Sequence, residues 1–335
     1  MTDFDAVLVV SFGGPEGPDD VVPFLRNVTR GRDIPDERLA VVGAHYAHFD
    51  GISPINEQCR RLVAALDEEL RRSGDPLPVY WGNRNWHPYL AATVQQMADD
   101  GVTRALAIVT SAYSSHSGCR QYLDDIEKAR AQVGASAPVI EKVRHYFDHP
   151  GFVEPFRDGV RTAIDRLGRA TPLVFTAHSI PTAMAATSDY EAQLRATAEL
   201  VASAAPESSW TLAWQSRSGP PTVPWLEPDI NDHLRDLAAH GTDAAVIVPI
   251  GFVSDHMEVV WDLDTEARAT ADELGIRIER AATPGTGPDP RFVAMWAELV
   301  AERLHASPRR ALSALPERPN PCAEGCCPSG RPSGR

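Results

Sequence analysis

Short unbroken apolar runs, rich in β-branched residues and bounded by turn residues, recur along the chain. They predict strands at 6–12, 79–82, 105–111 and 138–143, then at 173–177, 210–215, 244–250 and 276–280. Between them the apolar positions change to helical spacing, at 55–70, 89–99, 119–133, 152–167, 190–202 and 291–304. Strands that are apolar throughout are buried on both faces, which is the pattern of parallel sheets covered by helices. The runs divide four and four about His149-Pro150-Gly151. The prediction is an α/β chain of two similar halves, 1–148 and 149–307, each with a four-stranded parallel sheet flanked by helices. The last helix is free to pack back on the first half.

Two segments stand outside this alternation. Residues 13–76, between the first two strands, are too long for one crossover helix. They hold a helix after Pro15, a charged stretch Arg30-Gly31-Arg32-Asp33-Ile34-Pro35, and Gly51-Ile52-Ser53-Pro54 opening another helix. Insertions of this length are either surface decoration or a functional lip. Residues 308–335 hold six prolines and three of the five cysteines, with no helical period. Such a tail cannot bury a core of its own, so the rest of the chain must order it or nothing does.

Composition narrows the class. With 335 residues, 43% hydrophobic and 23% charged, the chain can bury a large core and is neither disordered nor a disulfide miniprotein. A net charge of −14 argues against nucleic acid and against an anionic membrane surface as partners, without forbidding a local basic pocket. No stretch approaches the ~20 apolar residues of a membrane span. The first residues lack the basic start of a secretion signal. The expectation is a cytoplasmic protein whose cysteines are thiols or metal ligands rather than disulfides.

Ligands of parallel sheets sit at the carboxyl ends of the strands, and three such ends are chemically loaded. The first is Ser11-Phe12-Gly13-Gly14-Pro15. It lacks the G-x-G-x-x-G spacing, and Pro15 lacks an N–H for a phosphate, so a tight turn approaching a flat ligand is expected rather than a dinucleotide site. The second is His178-Ser179-Ile180-Pro181, where an imidazole held at a cleft mouth can act as a base or ligate a metal. No G-x-S-x-G elbow accompanies it, which disfavours hydrolase chemistry. The third is Gly251-Phe252-Val253-Ser254-Asp255-His256-Met257-Glu258. Glu258, Asp262 and Glu266, spaced four apart with Asp264 beside them, share one helical face amid apolar neighbours. Such a row is either a solvated acidic face or a partly buried one that needs a compensating cation, for which hard oxygen ligands suit a transient divalent ion. His256-x-Glu258 lacks the Pro-Cys-x-x-Cys of a zinc deaminase.

Cys322, Cys326 and Cys327 concentrate soft ligands in the tail. A closed thiolate site needs a fourth ligand from the body, Cys59 or Cys119. Cys59 falls on the core stripe of its helix, whereas Cys119 follows Ser117-Gly118 past a strand end and can reach outward. A tail with free thiols is the alternative.

Taken together these residues resemble the ferrochelatase family. Phe175-Thr176-Ala177-His178-Ser179-Ile180-Pro181 and the segment Gly251 to Glu258 look like its two signatures. Gly51-Ile52-Ser53-Pro54, Trp214-Gln215-Ser216 and Pro224-Trp225-Leu226-x-Pro228-Asp229 add to the likeness, which covers about residues 5–305. The resemblance implies two Rossmann-like, chelatase-type domains with a porphyrin cleft between them. It implies that His178 and Glu258 face each other across the macrocycle and handle the metal and the pyrrole protons. It implies that Asp262 and Glu266 extend a carboxylate path for metal, that Ser53 and Tyr122 contact porphyrin, and that Tyr46 and Arg30 lie near its propionates. Phe12 stands where some relatives carry a Tyr that approaches the metal, and His45 where some carry an Arg. The tail resembles that of ferrochelatases with a [2Fe–2S] cluster, which implies Cys119, Cys322, Cys326 and Cys327 as ligands.

The substrate expected is coproporphyrin III with ferrous iron. The stretch around Arg30 is charged and lacks the Trp/Phe/Leu face of an interfacial helix, which suits a tetra-acid taken from water. Protoporphyrin IX is the alternative substrate, and a haem or Fe–S binding protein without turnover the alternative class. A monomer that hands its product to a partner, with no membrane insertion, completes the expectation.

Overall fold

The computed structural model describes residues 4–31, 34–168 and 170–330, and its eight strands form two four-stranded parallel sheets. The first contains β1 (Ala6–Ser11), β2 (Val79–Asn83), β3 (Arg104–Val109) and β4 (Val139–Lys142) in the order 2-1-3-4. The second contains β5 (Leu173–His178), β6 (Trp210–Gln215), β7 (Ala244–Val248) and β8 (Arg277–Arg280) in the order 6-5-7-8. The repeated order makes the halves alike, and β1 and β5 occupy equivalent central places. Every residue of β1 and of β7 is buried, as unbroken apolar runs require.

Strand ends differ from the sequence expectation by a residue or two, for local reasons. β1 stops at Ser11, because Gly13 (φ 82°) turns the chain away. β7 stops at Val248, because Pro249 has no N–H for the ladder. β5 runs one residue further, pairing His178 with Gln215 of β6.

The helices are α1 (Pro18–Val28), α2 (Asp36–Ala47), α3 (Ile55–Ser73), α4 (Leu90–Asp99), α5 (Gln121–Val133) and α6 (Pro150–Leu167). Then come α7 (Thr182–Ala185), α8 (Tyr190–Ala202), α9 (Ile230–Ala239), α10 (Met257–Val259), α11 (Arg268–Leu274) and α12 (Pro290–His305). The residue pattern gave no range for α2, α7, α9 or α11. It placed the end of one π-helical turn (His116–Arg120) in the ordinary helix at 119–133 and read the acidic row, on the π-helical turn Val260–Ala267, as ordinary helix. His149 caps α6, accepting from the Gly151 N–H, with Pro150 at the first helical position.

One core serves both sheets. Val7 and Val9, Phe175 and Val248, Leu62, Leu66 and Leu70 of α3, and Phe292 and Trp296 of α12 belong to it. α12 packs on both α6 and α3, so the last helix does return to the first half. Near the sheet ends the halves are also joined by hydrogen bonds. Tyr113 donates to the Ile250 carbonyl (2.8 Å), and the Gln58 amide exchanges two bonds with the Asp255 backbone (2.9 and 3.2 Å).

The insertion forms a lip with a small core of its own. Val21, Phe24 and Leu25 of α1 and Leu39 and Tyr46 of α2 pack with Trp86 and with Met257 of the second half. Of the charged stretch, Arg32 and Asp33 lie outside the described residues. The tail, without helix or strand, is laid along the body. Leu312 donates to the Asp148 carbonyl (2.9 Å), Ser313 to the Asp148 carboxylate (2.7 Å), and Thr187 to the Pro328 carbonyl (3.0 Å). An Arg318–Asp189 ion pair adds to these. The residues 331–335 lie outside the described residues.

Candidate active site

β1 lies between β2 and β3, and β5 between β6 and β7. At each of these places the chain leaves a central strand in opposite directions, which opens a crevice at the carboxyl ends. His178 is the last residue of β5, and Glu258 opens the helix reached by the loop after β7. His178 Nε2 faces Glu258 Oε2 at 3.6 Å, with both side chains reachable from solvent. The other ring nitrogen, Nδ1, bonds the Ser179 carbonyl. A carbonyl only accepts, so Nδ1 carries a hydrogen, and Nε2 is the nitrogen turned to the Glu258 carboxylate. The Tyr190 hydroxyl donates to the His178 carbonyl (3.0 Å) and holds the strand end in place.

The acidic row continues from Glu258 through the π-helical turn. Asp262 accepts from Ser216 and from Gln215 Nε2 (3.3 Å). Burial pushes its carboxyl up to about 7, and the charges of Glu258 and Glu266 add to the rise against the two hydrogen bonds. Ser216 holds a positive φ of 61°, a strained conformation that turns its hydroxyl onto Asp262. Asp262 is the member of the row whose charge burial disfavours most. Asp264 is not part of the row: Arg280 pairs with it (2.6 Å) and with Asp255 (3.1 Å). Among the described residues, no three or more His, Cys, Asp or Glu side chains gather round a single-ion site.

Across the crevice, Phe12 is half-buried with its ring edge-on to Phe24 (6.3 Å between centroids). A Cβ on Gly13 would meet Asn83 at 2.9 Å, and one on Gly14 would meet Ser53 at 2.6 Å, so the turn after β1 is tight and packs against its own chain. Ser53 is buried behind that turn, its N–H bonded to the Pro15 carbonyl (2.9 Å). Tyr46 is buried in the lip core, where burial and the nearby Glu258 charge push its phenol up. Glu266 lies near His45, whose imidazole burial pushes down.

A cavity of about 840 Å³ is lined by Asn27, Arg30, Arg84, His116, Gln121 and Lys128 among others, with Met184 of α7 also in its wall. Neither His178 nor Glu258 lines it. Arg84 is the residue that sequence reasoning missed. It follows β2, bonds Asp125 (2.7 Å), and lies over Tyr122 (4.5 Å to the ring centre) and Phe12 (6.0 Å). Its signal was available: a basic side chain flanked by two asparagines at the carboxyl end of a strand of the first sheet.

The tail thiols converge on the body. Cys119, Cys322, Cys326 and Cys327 lie within electrostatic reach of one another, and Cys322 and Cys326 share a hydrogen bond. Burial pushes the Cys327 thiol up to about 11, with Cys119 and Cys326 adding to the rise. Cys59 is elsewhere, bonded to Ser11 (3.2 Å) and fully buried. No disulfide joins any of the five.

The fold and its loaded strand ends define a chelatase-type protein. Similar solved structures include SirB from Bacillus subtilis with Fe3+ (11% identity, TM-score 0.54, 90% of this chain and 96% of that one). The sirohydrochlorin chelatase SirB from Bacillus subtilis subspecies spizizenii with cobalt is another (10% identity, TM-score 0.51, 88% and 94%). At these identities they bear on fold alone. The ferrochelatase profile matches residues 4–304, and the chain belongs to the ferrochelatase family. Similar curated proteins include the coproporphyrin III ferrochelatase of Nocardia farcinica (53% identical, 98% of both chains) and that of Mycolicibacterium smegmatis (51%, 98% and 97%). The ferrochelatase of Rhodopirellula baltica is 51% identical over 97% of this chain and 93% of its own. Among the described residues no helix is long and apolar enough to cross a membrane.

Proposed function

We propose that this enzyme inserts ferrous iron into coproporphyrin III, and that His178 and Glu258 carry the chemistry. The observation that carries this is the 3.6 Å approach of His178 Nε2 to Glu258 Oε2 at two converging strand ends. A free-base macrocycle holds two N–H protons where iron must sit. Neutral Nε2 accepts a pyrrole proton as the metal descends, and Glu258 stabilises the imidazolium that results. Asp262, which gains and loses a proton near neutral pH, carries it onward through the row towards Glu266. A rigid cleft between two sheets sharing one core binds a bent ring better than a flat one and so favours lone pairs turned towards the metal.

The polar cavity supports the tetra-acid substrate. Arg30, Arg84 and Lys128 offer cations, and Asn27, Asn85 and Gln121 offer amides, to carboxylates at the rim. Ser53 and Tyr122 act from behind, Ser53 by holding the Gly14 turn and Tyr122 by supporting Arg84. Two of the most similar curated proteins carry the same substrate in their names.

The four grouped thiols fit a [2Fe–2S] cluster held by Cys119, Cys322, Cys326 and Cys327. They are soft donors within electrostatic reach of one another, the ligand type such a cluster takes. When bound, such a cluster supplies one-electron redox chemistry. In the chain itself, the His116 ring bonds the Cys327 carbonyl (3.2 Å) and ties the tail to the π-helical turn at His116–Arg120.

The test is anaerobic insertion followed by visible absorbance, with Fe²⁺ offered to coproporphyrin III and separately to protoporphyrin IX. The expected result is rapid insertion into the former and slow insertion into the latter. Preference for protoporphyrin would refute the substrate, and no insertion into either would refute turnover and leave a binding protein.

A further inference from the structure

Lys142 is the last residue of β4 and is about nine-tenths buried. Its ammonium donates to the Val143 carbonyl (2.9 Å), and among the described residues no carboxylate pairs with it. A buried ammonium without a counter-charge costs several kcal/mol. The arginines around it are matched: Arg144 by Glu302 (2.7 Å), Arg309 by Glu317 (3.4 Å), and Arg318 by Asp189. Lys142 instead shares with Arg318 and Cys322 the wall of a cavity of about 240 Å³ between body and tail. Arg318 also reaches across the tail, with Nη1 3.9 Å from Cys327 Sγ. His145, buried on the same wall with Nε2 unpartnered, is held neutral by burial and by the surrounding cations.

We infer that Lys142, assisted by Arg318, is the counter-charge of a thiolate-held cluster and sets its reduction potential. The inference rests on the [2Fe–2S] reading above. Four thiolates together with the cluster's two sulfides outweigh the charge of two ferric irons, so the site is anionic, and an added electron deepens that charge. A fixed ammonium in a low-dielectric wall therefore favours the reduced form. The same charge explains why a lysine is tolerated in this core: its partner is the group that the cysteines hold. The electron comes from an external reductant, dithionite in the test, and is taken up by the cluster without bond breakage.

The test uses the full chain, purified without oxygen, as wild type, Lys142→Met and Lys142→Arg. Iron and sulfide content, visible absorption and potentiometric titration followed by electron paramagnetic resonance are read, none of which depends on chelatase turnover. Lys142→Met is expected to bind the cluster and to lower its reduced-to-oxidised ratio at a given potential about tenfold, equivalent to about 59 mV for one electron. Lys142→Arg is expected to titrate with the wild type. Equal potentials in wild type and Lys142→Met would overturn the inference. Wild type free of iron and sulfide would overturn the cluster reading itself, and the inference with it. If Lys142→Met does not fold, Arg318→Gln, whose side chain is 30% exposed, carries the same expectation of a lower potential. An unchanged potential in that variant would likewise overturn the inference.

Discussion

His45 lies flat on Trp261, ring centroids 4.1 Å apart and planes 9° from parallel. The first residue belongs to the lip helix α2 and the second to the π-helical turn that carries the acidic row. The stack is therefore where the insertion closes on the second half, and His48 and Phe49 abut the same indole edge-on. An aromatic pair contributes about 0.5–1.5 kcal/mol beyond its buried area. Trp261→Ala should lower stability to urea by about 1–2 kcal/mol and raise the KM for porphyrin more than it lowers kcat. An unchanged KM would mean that the lip does not wall the substrate.

His178→Ala removes the base and leaves the cleft intact. Insertion should fall by about 10²–10⁴-fold. Porphyrin binding, followed by quenching of the macrocycle's fluorescence, should change little. A variant that turns over at the wild-type rate would rule out His178 as the proton acceptor.

Asp262 gives stability a pH signature. Its carboxyl sits at about 7 in the folded chain against an ordinary value of 3.8, so the native state holds a proton that the unfolded chain has lost. Stability then falls as pH rises from about 4 to about 7, and this contribution is constant above that window. Asp262→Asn, which cannot ionise, should lose that slope. Thermal melts at pH 5 and pH 8 should show the variant gaining on the wild type at the higher pH. Parallel curves would mean that the folded chain does not hold the proton.

Arg84 separates the two candidate substrates. Its guanidinium joins Asp125 to the Tyr122 ring at the cavity wall, with a side chain only 10% exposed. Arg84→Met keeps much of the stem's packing and removes the cation. The KM for coproporphyrin III should rise about ten- to a hundredfold, as expected for one charge-assisted hydrogen bond of about 1.5–3 kcal/mol, and that for protoporphyrin IX less. Equal effects on both would assign Arg84 to packing rather than to carboxylate recognition.

The cysteines divide by place. Cys119→Ser should abolish iron and sulfide content and the associated visible absorption, whereas Cys59→Ser should leave both intact. Loss of the cluster in the Cys59 variant alone would transfer the fourth ligand to that residue.

The two sheets were legible because parallel strands must be apolar on both faces, and that demand is written locally in each run. The His178 and Glu258 turns were legible for a similar reason: polar residues directly after such runs fall at carboxyl ends. Sequence could narrow the body thiol of the proposed cluster to Cys59 or Cys119, since spacing says which residues can leave a helix's core stripe. It could not bring Cys119 to a tail more than two hundred residues away. That required the tail to be laid along Asp148 and Asp189. α2 was hidden because its apolar face is short and is completed by Met257 and Trp261 of the other half. The upward push on Asp262's carboxyl, Arg84's place over Tyr122 and, among the described residues, Lys142's lack of a carboxylate are likewise properties of neighbours. Burial and charge act through space, and only the packed chain decides which groups share a low-dielectric wall.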